Sequence, residues 1–248
     1  MTEYDVFSKY YDSLMQDIDY CAKTEYALEL FKKFGKVPTL LLDVGCGTGG
    51  FSFEFAKKGI DVIGADISEG MLTVAKQRAK EKETDILFLN QSAAELDLYG
   101  TVDGAVCFMD TINHIVSKSE LQKSFNRISL FLEKDALFVF DVNTPYKHSE
   151  ILGDNTFVFE NDEVFCVWQN FHNKRNGVTD IFLDFFEKSD DNYIRNHDEF
   201  CERAYTFEEL TVMREKTGFK TEKIYGEDSF VKPSKTSQRA VFVARKVR

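Results

Sequence analysis

The chain of 248 residues lacks any long apolar run. None of its hydrophobic stretches approaches the run of about 20 apolar residues that a membrane-spanning helix needs. The first residues, 1–14, are polar and aromatic, so they do not show the basic-then-apolar pattern of a secretion signal. We therefore expect no membrane partner and no export.

Cysteine is scarce and unpaired. Its five positions are scattered, with no Cys-x-x-Cys spacing: Cys21, Cys46, Cys107, Cys166 and Cys201. This distribution argues against a disulfide framework and against a structural zinc site. No compact group of histidines, cysteines and acids suggests another metal site. Reduced cysteines are typical of the cytoplasm, which is where we expect the protein to work.

The chain has fewer basic than acidic residues. It contains 31 Lys and Arg and 42 Asp and Glu, which gives a formal net charge of -11. An acidic surface repels phosphate backbones, so nucleic acid is a disfavoured partner. The stretch 232–239 carries Lys232, Lys235 and Arg239. We interpret it as a solvated loop rather than a basic binding patch.

Short apolar runs alternate with amphipathic segments through the first two-thirds of the chain. The apolar runs predict buried strands at 39–44, 60–65, 86–89, 104–108 and 136–142. Strands that alternate with helices imply parallel, right-handed βαβ units. Ligands of such sheets bind beyond the carboxyl ends of the strands, so the residues that follow each strand are candidates for a site.

The pattern changes after the fifth strand, where residues 150–205 hold consecutive strand-like runs. The segment 173–177 has the composition of a hairpin turn. The apolar positions of the next run alternate with polar ones and should share one face: Ile181, Leu183 and Phe185. We predict an inserted antiparallel sheet, with Trp168 and the phenylalanines of the insertion in its core.

The last part of the chain returns to the α/β pattern. Thr206 and Glu209 have capping-box spacing and open a helix that ends near Gly218. Two strand-like runs, 219–225 and 240–246, follow this helix. The predicted fold is one α/β domain, residues 1–248, with a doubly wound, mostly parallel seven-stranded sheet and an antiparallel sheet inserted after strand five.

The strongest motif is LLDVGCGTGG, residues 41–50. A strand ends in Asp43, and a tight turn then leads into a helix whose first N–H groups can bind an anion. Glycines allow positive φ and let a ligand lie against the backbone, and they stand at Gly45, Gly47 and Gly49. Asp66 ends the second strand, where a carboxylate can accept hydrogen bonds from both hydroxyls of a ribose.

Two cofactors fit this motif. Gly45, Gly47 and Gly50 also satisfy the looser G-x-G-x-x-G pattern of dinucleotide binding, so NAD is one alternative. Asp43 favours S-adenosylmethionine, because a carboxylate there can meet the ammonium of a methionine moiety. The compressed Gly-x-Gly-x-Gly loop and the two strand-like runs at the end of the chain favour it too.

On these motifs the sequence resembles the class I S-adenosylmethionine-dependent methyltransferases over essentially its whole length. It is most similar to small bacterial members with an antiparallel insertion, such as the aminosugar N-methyltransferases. Further stretches carry the resemblance: YYDSLMQDIDY, ADISEGML, CFMDTINHI, FDVNTPYK and ERAYTFEEL.

The resemblance implies roles for individual residues. Asp43 and the glycine loop, with Cys46 in it, hold the methionine part, and Asp66 holds the ribose. The residues that flank the adenine are Ile67 and Met71. Tyr11 belongs to an N-terminal lid, residues 1–19, that closes over the cofactor.

The sequence departs from the family at one cofactor contact. The family places an aspartate after the third strand, near the adenine amino group, where this chain has Ser92. The resemblance therefore leaves three candidates for that contact, namely Ser92, Gln91 and Glu95.

Methyl transfer is a direct displacement, so the protein mainly supplies proximity and alignment. A general base is needed only when the nucleophile arrives protonated. The segment CFMDTINHI leaves the fourth strand at the ligand end, and Asp110, Asn113 and His114 are its candidate site residues. Asp110 would steady the sulfonium or take a proton from an amine, and Asn113 would help to bind the cofactor. His114 is the candidate base, with a hydrogen-bonded structural role as the alternative.

Candidate acceptor-binding residues are Tyr146, His197, Glu202, Arg203 and Tyr205, each with a surface or packing role as the alternative. The insertion, 150–205, would form the acceptor side. The leading hypothesis is methyl transfer to N or O of a small molecule. RNA or protein methylation and a non-catalytic cofactor-binding protein remain alternatives, and both a monomer and a homodimer remain open.

Overall fold

A computed structural model describes residues 5–15, 17–190 and 192–248. The predicted lid, 1–19, thus lies partly outside the described residues. The first elements are α1 (Asp5–Leu14), α2 (Tyr20–Phe34), β1 (Leu40–Val44), α3 (Gly50–Lys57), β2 (Asp61–Asp66), α4 (Glu69–Glu81), β3 (Leu87–Asn90), β4 (Val102–Cys107), α5 (Thr111–His114), α6 (Lys118–Phe131) and β5 (Leu132–Asn143). After a π-helical turn (Lys147–Leu152) come β6 (Thr156–Glu160), β7 (Val164–Asn173), β8 (Val178–Ser189), β9 (Asn192–Arg203), α7 (Phe207–Lys216), β10 (Phe219–Gly226) and β11 (Arg239–Lys246).

Side-chain caps fix where several helices begin. Ser68 Oγ accepts a hydrogen bond from the Met71 N–H at the start of α4, which satisfies one of the free N–H groups of the first turn. At α7, Thr206 and Glu209 each accept from the other's backbone N–H. The predicted capping box is confirmed.

The main sheet has seven strands in the order β10-β11-β5-β4-β1-β2-β3. The strands β1, β2, β3, β4 and β5 run parallel, and β11 pairs antiparallel with both β5 and β10. One apolar cluster on this sheet includes Phe125 and Phe138, and another includes Phe31 and Phe55. The predicted doubly wound, mostly parallel sheet is confirmed.

The insertion forms a separate antiparallel sheet in the order β6-β7-β8-β9. The predicted inward positions are completely buried: Ile181, Leu183 and Phe185. The Phe7 ring of α1 stacks at 5.9 Å on Phe200 and meets the Trp168 ring edge-on at 6.3 Å. Helix α1 therefore packs against the inserted sheet. The prediction that the phenylalanines of the insertion lie in its core was wrong for two of them, because Phe159 is 37% exposed and Phe171 is 52% exposed.

Among the described helices, none combines the length and apolar character that would be needed to cross a membrane.

Candidate functional site

The glycine loop between β1 and α3 depends on its glycines for shape. Gly45, Gly47 and Gly49 have φ values of +70°, +54° and +85°, a region that side chains with a Cβ rarely adopt. A Cβ on Gly45 would lie 2.3 Å from the Thr111 side chain. A Cβ on Gly47 would meet nothing within 4 Å, although this residue lines a cavity. A ligand can therefore approach the backbone at Gly47.

That cavity has a volume of about 520 Å³, which suits a small-molecule ligand. Many of the predicted site residues line it: Tyr11, Gly45, Gly47, Asp66, Ile67, Met71, Gln91, Ser92 and His114. Phe7 and Glu95 line it as well. The ends of β1, β2, β3 and β4 thus converge on one cavity with a wall from α1.

Asp66 is held in a fixed orientation on this wall. Its two carboxylate oxygens accept hydrogen bonds of 2.8 Å from the N–H groups of Gly47 and Ser68. Burial raises the pKa of Asp66, and these N–H groups oppose that rise. Each oxygen keeps a lone pair that can accept from a ribose hydroxyl. The side chain is therefore oriented for a diol.

The neighbouring groups suit the rest of an adenosine. Ile67 lines the cavity and is 68% exposed, so it offers an apolar surface that the described chain leaves uncovered. The Gln91 side chain donates a hydrogen bond to the backbone carbonyl of Asp97 and accepts one from the Asp97 N–H. The Ser92 hydroxyl donates a 3.4 Å bond to Glu95. Ser92 and Glu95 are thus better available than Gln91 for an adenine contact.

Three predicted cofactor residues at the end of β1 and in the loop do not line the cavity. Asp43 is 2% exposed and accepts a 2.6 Å hydrogen bond from Ser52. Burial raises its pKa to about 7. Cys46 is buried, which raises the pKa of its thiol well above the usual value, and Gly49 packs against Phe53. In this structure, all three residues pack inside the protein, where they help to hold the shape of the loop.

Asp110 forms an ion pair. Its carboxylate accepts from Arg239 Nη2 at 3.0 Å and from Asn143 Nδ2 at 3.0 Å. Burial alone would raise the pKa of Asp110, but the charges of Arg239 and Lys147 hold it well below its usual value. The ion pair with Arg239 therefore favours the ionised form of Asp110.

We predicted that Arg239 belongs to a solvated loop, and this prediction was wrong. It is 6% exposed, and its Nη1 also donates to Asp141 at 2.9 Å. The N–H groups of Met109 and Asp110 donate to the same Asp141 carboxylate, where both residues have positive φ values of 54° and 55°. Arg239 and Asp141 therefore hold the strained turn that leads to α5.

Asn113 forms hydrogen bonds with backbone groups and does not line the cavity, whereas we predicted that it helps to bind the cofactor. It is completely buried, and its Oδ1 accepts from the N–H of Asn143. Its Nδ2 donates to the carbonyls of Asn143 and Arg203. This amide ties α5 to β5 and β9.

His114 reaches the cavity wall. Its Nε2 lies 3.8 Å from Oε1 of Glu202, whose side chain is 3% exposed. Burial raises the pKa of Glu202, and the charge of Asp110 raises it further. The structure thus pairs a cavity histidine with a buried acid from β9. Helical or strand spacing cannot show this pairing, because the two residues are far apart in sequence.

Asp110, His114 and Glu202 offer ligand atoms within 4.8 Å of one another. The sequence suggested no such group. Lys147 acts on both carboxylates and Arg239 acts on Asp110, and their positive charges oppose a divalent cation at this place.

The predicted acceptor-binding residues lie outside the cavity lining. Tyr205 is completely buried and donates to the Ile115 carbonyl at 2.5 Å, so its predicted place in a pocket is wrong. The Arg203 guanidinium donates to the carbonyls of Val116 and Asn176. His197 pairs with Asp184 on the inserted sheet. Tyr146 directly precedes the π-helical turn.

Comparisons with known proteins agree with this architecture. The family model for the methyltransferase domain matches residues 41–135. A protein of Geobacillus sp. strain WCH70 with a provisional methyltransferase name is 32% identical over 98% of this chain and 99% of its own length.

Two solved structures are also similar. An S-adenosylmethionine-dependent methyltransferase of Clostridium acetobutylicum has a TM-score of 0.89 and 26% identity, with 99% of each chain covered. CalS10, an amino pentose methyltransferase of Micromonospora echinaspora solved with S-adenosylmethionine, has a TM-score of 0.77 and 17% identity. That match covers 100% of this chain and 99% of CalS10.

The chain belongs to the S-adenosylmethionine-dependent methyltransferases. Its cofactor is S-adenosylmethionine, which when bound supplies an activated methyl group. The fixed carboxylate of Asp66, the open backbone at Gly47 and the uncovered Ile67 fit that molecule.

Proposed function

We propose that this protein is a cytoplasmic N-methyltransferase of small-molecule amines. The observation that carries the proposal is the position of His114, which lies on the wall of the cofactor cavity with buried Glu202 behind it. An imidazole backed by a carboxylate can remove a proton from a nucleophile beside the cofactor.

The cofactor is assigned to the cavity wall. Asp66 binds the ribose hydroxyls, Ile67 and Met71 flank the adenine, and Gly45 and Gly47 approach the methionine part. Ser92 or Glu95 binds the adenine amino group, and Tyr11 closes the cavity from α1. All of these residues line the same cavity.

The bases at this site favour an amine over an alcohol. An ammonium such as that of lysine has a pKa near 10.4, and water has a pKa near 15.7. Histidine can therefore deprotonate an ammonium far more easily than a water-like hydroxyl.

The acceptor lies in the part of the cavity that is lined by α1, the helix that packs on the inserted sheet, 150–205. Phe7 lines the cavity and stacks on Phe200 of that sheet. The sheet-bearing CalS10 carries the name of an amino pentose methyltransferase, and an amino sugar is therefore the first acceptor class to test. The net charge of -11 disfavours RNA.

Binding calorimetry with S-adenosylmethionine and, separately, NAD comes first. Formation of S-adenosylhomocysteine is then measured with small amines, including amino sugars, and with hydroxyl compounds of matched shape. We expect turnover with amines only, and at least a tenfold loss in His114→Gln. His197→Gln on the inserted sheet is the control and should keep full activity. Turnover with hydroxyl compounds only, or with RNA or protein only, would contradict the proposal.

A further inference from the structure

Glu202 is a buried acid with weak hydrogen bonding. It lies near the end of β9 and accepts one long bond of 3.3 Å from Asn143 Nδ2. His114 Nε2 is 3.8 Å from its Oε1, and His148 Nε2 is 3.6 Å from its Oε2. Both separations exceed a normal hydrogen bond. The carboxyl group therefore sits between two imidazoles, one on the cavity wall and one in the interior.

His148 lies in the π-helical turn and is completely buried. Its Nδ1 is 2.9 Å from Thr179 Oγ1, which in turn is 2.8 Å from Nδ1 of His172. Its Nε2 is 3.4 Å from Nδ2 of Asn113. Burial, with a smaller contribution from the nearby His172, lowers the pKa of His148 to about 4. At neutral pH this ring is uncharged and carries one proton.

Asn113 determines which nitrogen of His148 carries that proton. Its Oδ1 accepts from a backbone N–H and its Nδ2 donates to two carbonyls, so the backbone fixes the orientation of the amide. An NH₂ group can only donate, and a proton on Nε2 would point at it. The proton therefore lies on Nδ1, where it is donated to Thr179, whose hydroxyl donates onward to His172.

A bare Nε2 of His148 thus faces Glu202. When Glu202 is ionised, two acceptors face each other across 3.6 Å. When Glu202 is protonated, its O–H can donate to Nε2 and close that gap. Burial and the charge of Asp110 raise the pKa of Glu202, against the opposing effects of His114, Asn143 and Lys147. Geometry and charge therefore both raise the affinity of the Glu202 carboxylate for a proton.

We propose that Glu202 is a positioning residue that holds the proton released in methyl transfer, in a hydrogen bond to Nε2 of His148. This inference rests on the proposed function. An amine that gains a methyl group carries one excess proton. His114 takes that proton at Nδ1 while its Nε2 passes another to the ionised carboxylate of Glu202, and the electron pair of the broken N–H bond stays on the amine nitrogen. After product release, the proton returns by the same groups to solvent.

The first test needs no acceptor. The chain has four histidines, so the ring signals of ¹⁵N-histidine-labelled protein are few, and loss of a signal in His148→Gln assigns it. We expect His148 to carry its proton on Nδ1 at neutral pH. A proton on Nε2 in the unaltered protein would overturn the proposal.

The second test follows the carboxyl group by pH-difference infrared spectroscopy. We expect a protonated-carboxyl band that disappears in Glu202→Gln and persists in Glu199→Gln, on the exposed face of the same strand. Thr179→Val frees the His148 ring to place its proton on Nε2, which should lower the Glu202 midpoint by about one pH unit. Thr179→Ser should leave the midpoint unchanged. An unchanged Glu202 midpoint in Thr179→Val would count against the proposed control of the Glu202 proton by the His148 ring.

The third test uses the small amine found in the acceptor screen. Glu202→Gln should lower kcat about tenfold with little change in KM, and it should alter the pH profile of kcat. Unchanged kcat and pH profile would remove Glu202 from the reaction while methyl transfer itself stands. No transfer to any amine would contradict the proposed function instead, and the first two tests would still decide the Glu202–His148 pair.

Discussion

The hydroxyl of Thr48 in the glycine loop donates a 3.0 Å hydrogen bond to Asp12 of α1. Asp12 also forms an ion pair of 2.6 Å with Arg78 of α4, in which both side chains are 31% exposed. These contacts join α1 to two elements around the cofactor cavity. The partly exposed ion pair contributes little stability by itself. The hydrogen bond from Thr48 and the position of Tyr11 next to Asp12 therefore contribute most to holding α1 at the cavity.

We predict that Asp12→Ala weakens S-adenosylmethionine binding about three- to tenfold, because α1 then closes less often over the cavity. Calorimetry at low and high salt measures this effect. Asp17→Ala, an exposed acid after α1, is the control. Equal affinities in Asp12→Ala and the unaltered protein would show that Asp12 does not hold the lid.

Gly47 and Gly59 make a matched pair. Both have positive φ, +54° and +80°, and a Cβ on either would meet nothing within 4 Å. Only Gly47 lines the cofactor cavity. We predict that both alanine variants lose about 1 kcal/mol of stability from backbone strain, and that Gly47→Ala alone weakens cofactor binding by more than tenfold. Thermal melting and calorimetry measure the two effects. Similar affinities in the two variants would argue against cofactor approach at Gly47.

The sequence predicted the fold well because its signals are local. Apolar runs bounded by glycine, and the spacing of Thr206 and Glu209, depend only on neighbours along the chain. The prediction at Asp66 rested on a carboxylate at a strand end and the prediction at Ile67 on the family resemblance, and both residues line the cavity. The parallel sheet brings such strand ends together whatever the details of packing.

Charge pairing across the fold was not predictable in the same way. Arg239 follows a polar loop in the sequence, but β11 lies beside β5 and brings it against Asp141. Glu202 reaches His114 only because the inserted sheet folds back onto α5. Tyr205 is of a residue type that often lines pockets, but it is buried and its hydroxyl donates to the Ile115 carbonyl, which is distant in sequence. Each of these errors concerns a contact between segments distant in sequence.

Asp43 predicts a pH dependence of stability. Burial raises its pKa from 3.8 to about 7 in the folded protein, so the folded state binds this proton more tightly than the unfolded state. The stabilisation is therefore fully present below about pH 4 and is lost as the pH rises towards 7. Other buried acids, Asp66 and Glu202, act in the same direction.

Asp43→Asn isolates the contribution of this one carboxyl. Between about pH 5 and pH 7, the unaltered protein should lose about 1–2 kcal/mol more of its unfolding free energy than Asp43→Asn does. Denaturant titrations at several pH values measure the difference. Asp61→Asn, at the exposed start of β2, should follow the unaltered protein. Parallel curves for Asp43→Asn and the unaltered protein would contradict a buried proton on Asp43.

Arg239 should be the most sensitive charged residue of the interior. Its side chain is 7% exposed and neutralises Asp110 and Asp141, which are 17% and 6% exposed. Arg239→Met leaves both carboxylates buried without their cation, which should cost about 3–5 kcal/mol. Arg239→Lys keeps the charge but loses the two-pronged geometry, so a smaller loss is expected. Arg245→Met on the same strand, whose partner Glu222 is 20% exposed, should cost less than Arg239→Met.

The sign of the pH effect distinguishes a lost ion pair from lost packing. Without the guanidinium, burial raises the pKa of Asp110 and Asp141, and both acids can take up protons in the folded state. The deficit of Arg239→Met relative to the unaltered protein should therefore shrink as the pH falls, and the added changes Asp110→Asn and Asp141→Asn should restore much of the stability at neutral pH. A deficit that is constant with pH and is not restored by the two amides would mean that the Arg239 side chain stabilises the fold by its volume rather than by its charge.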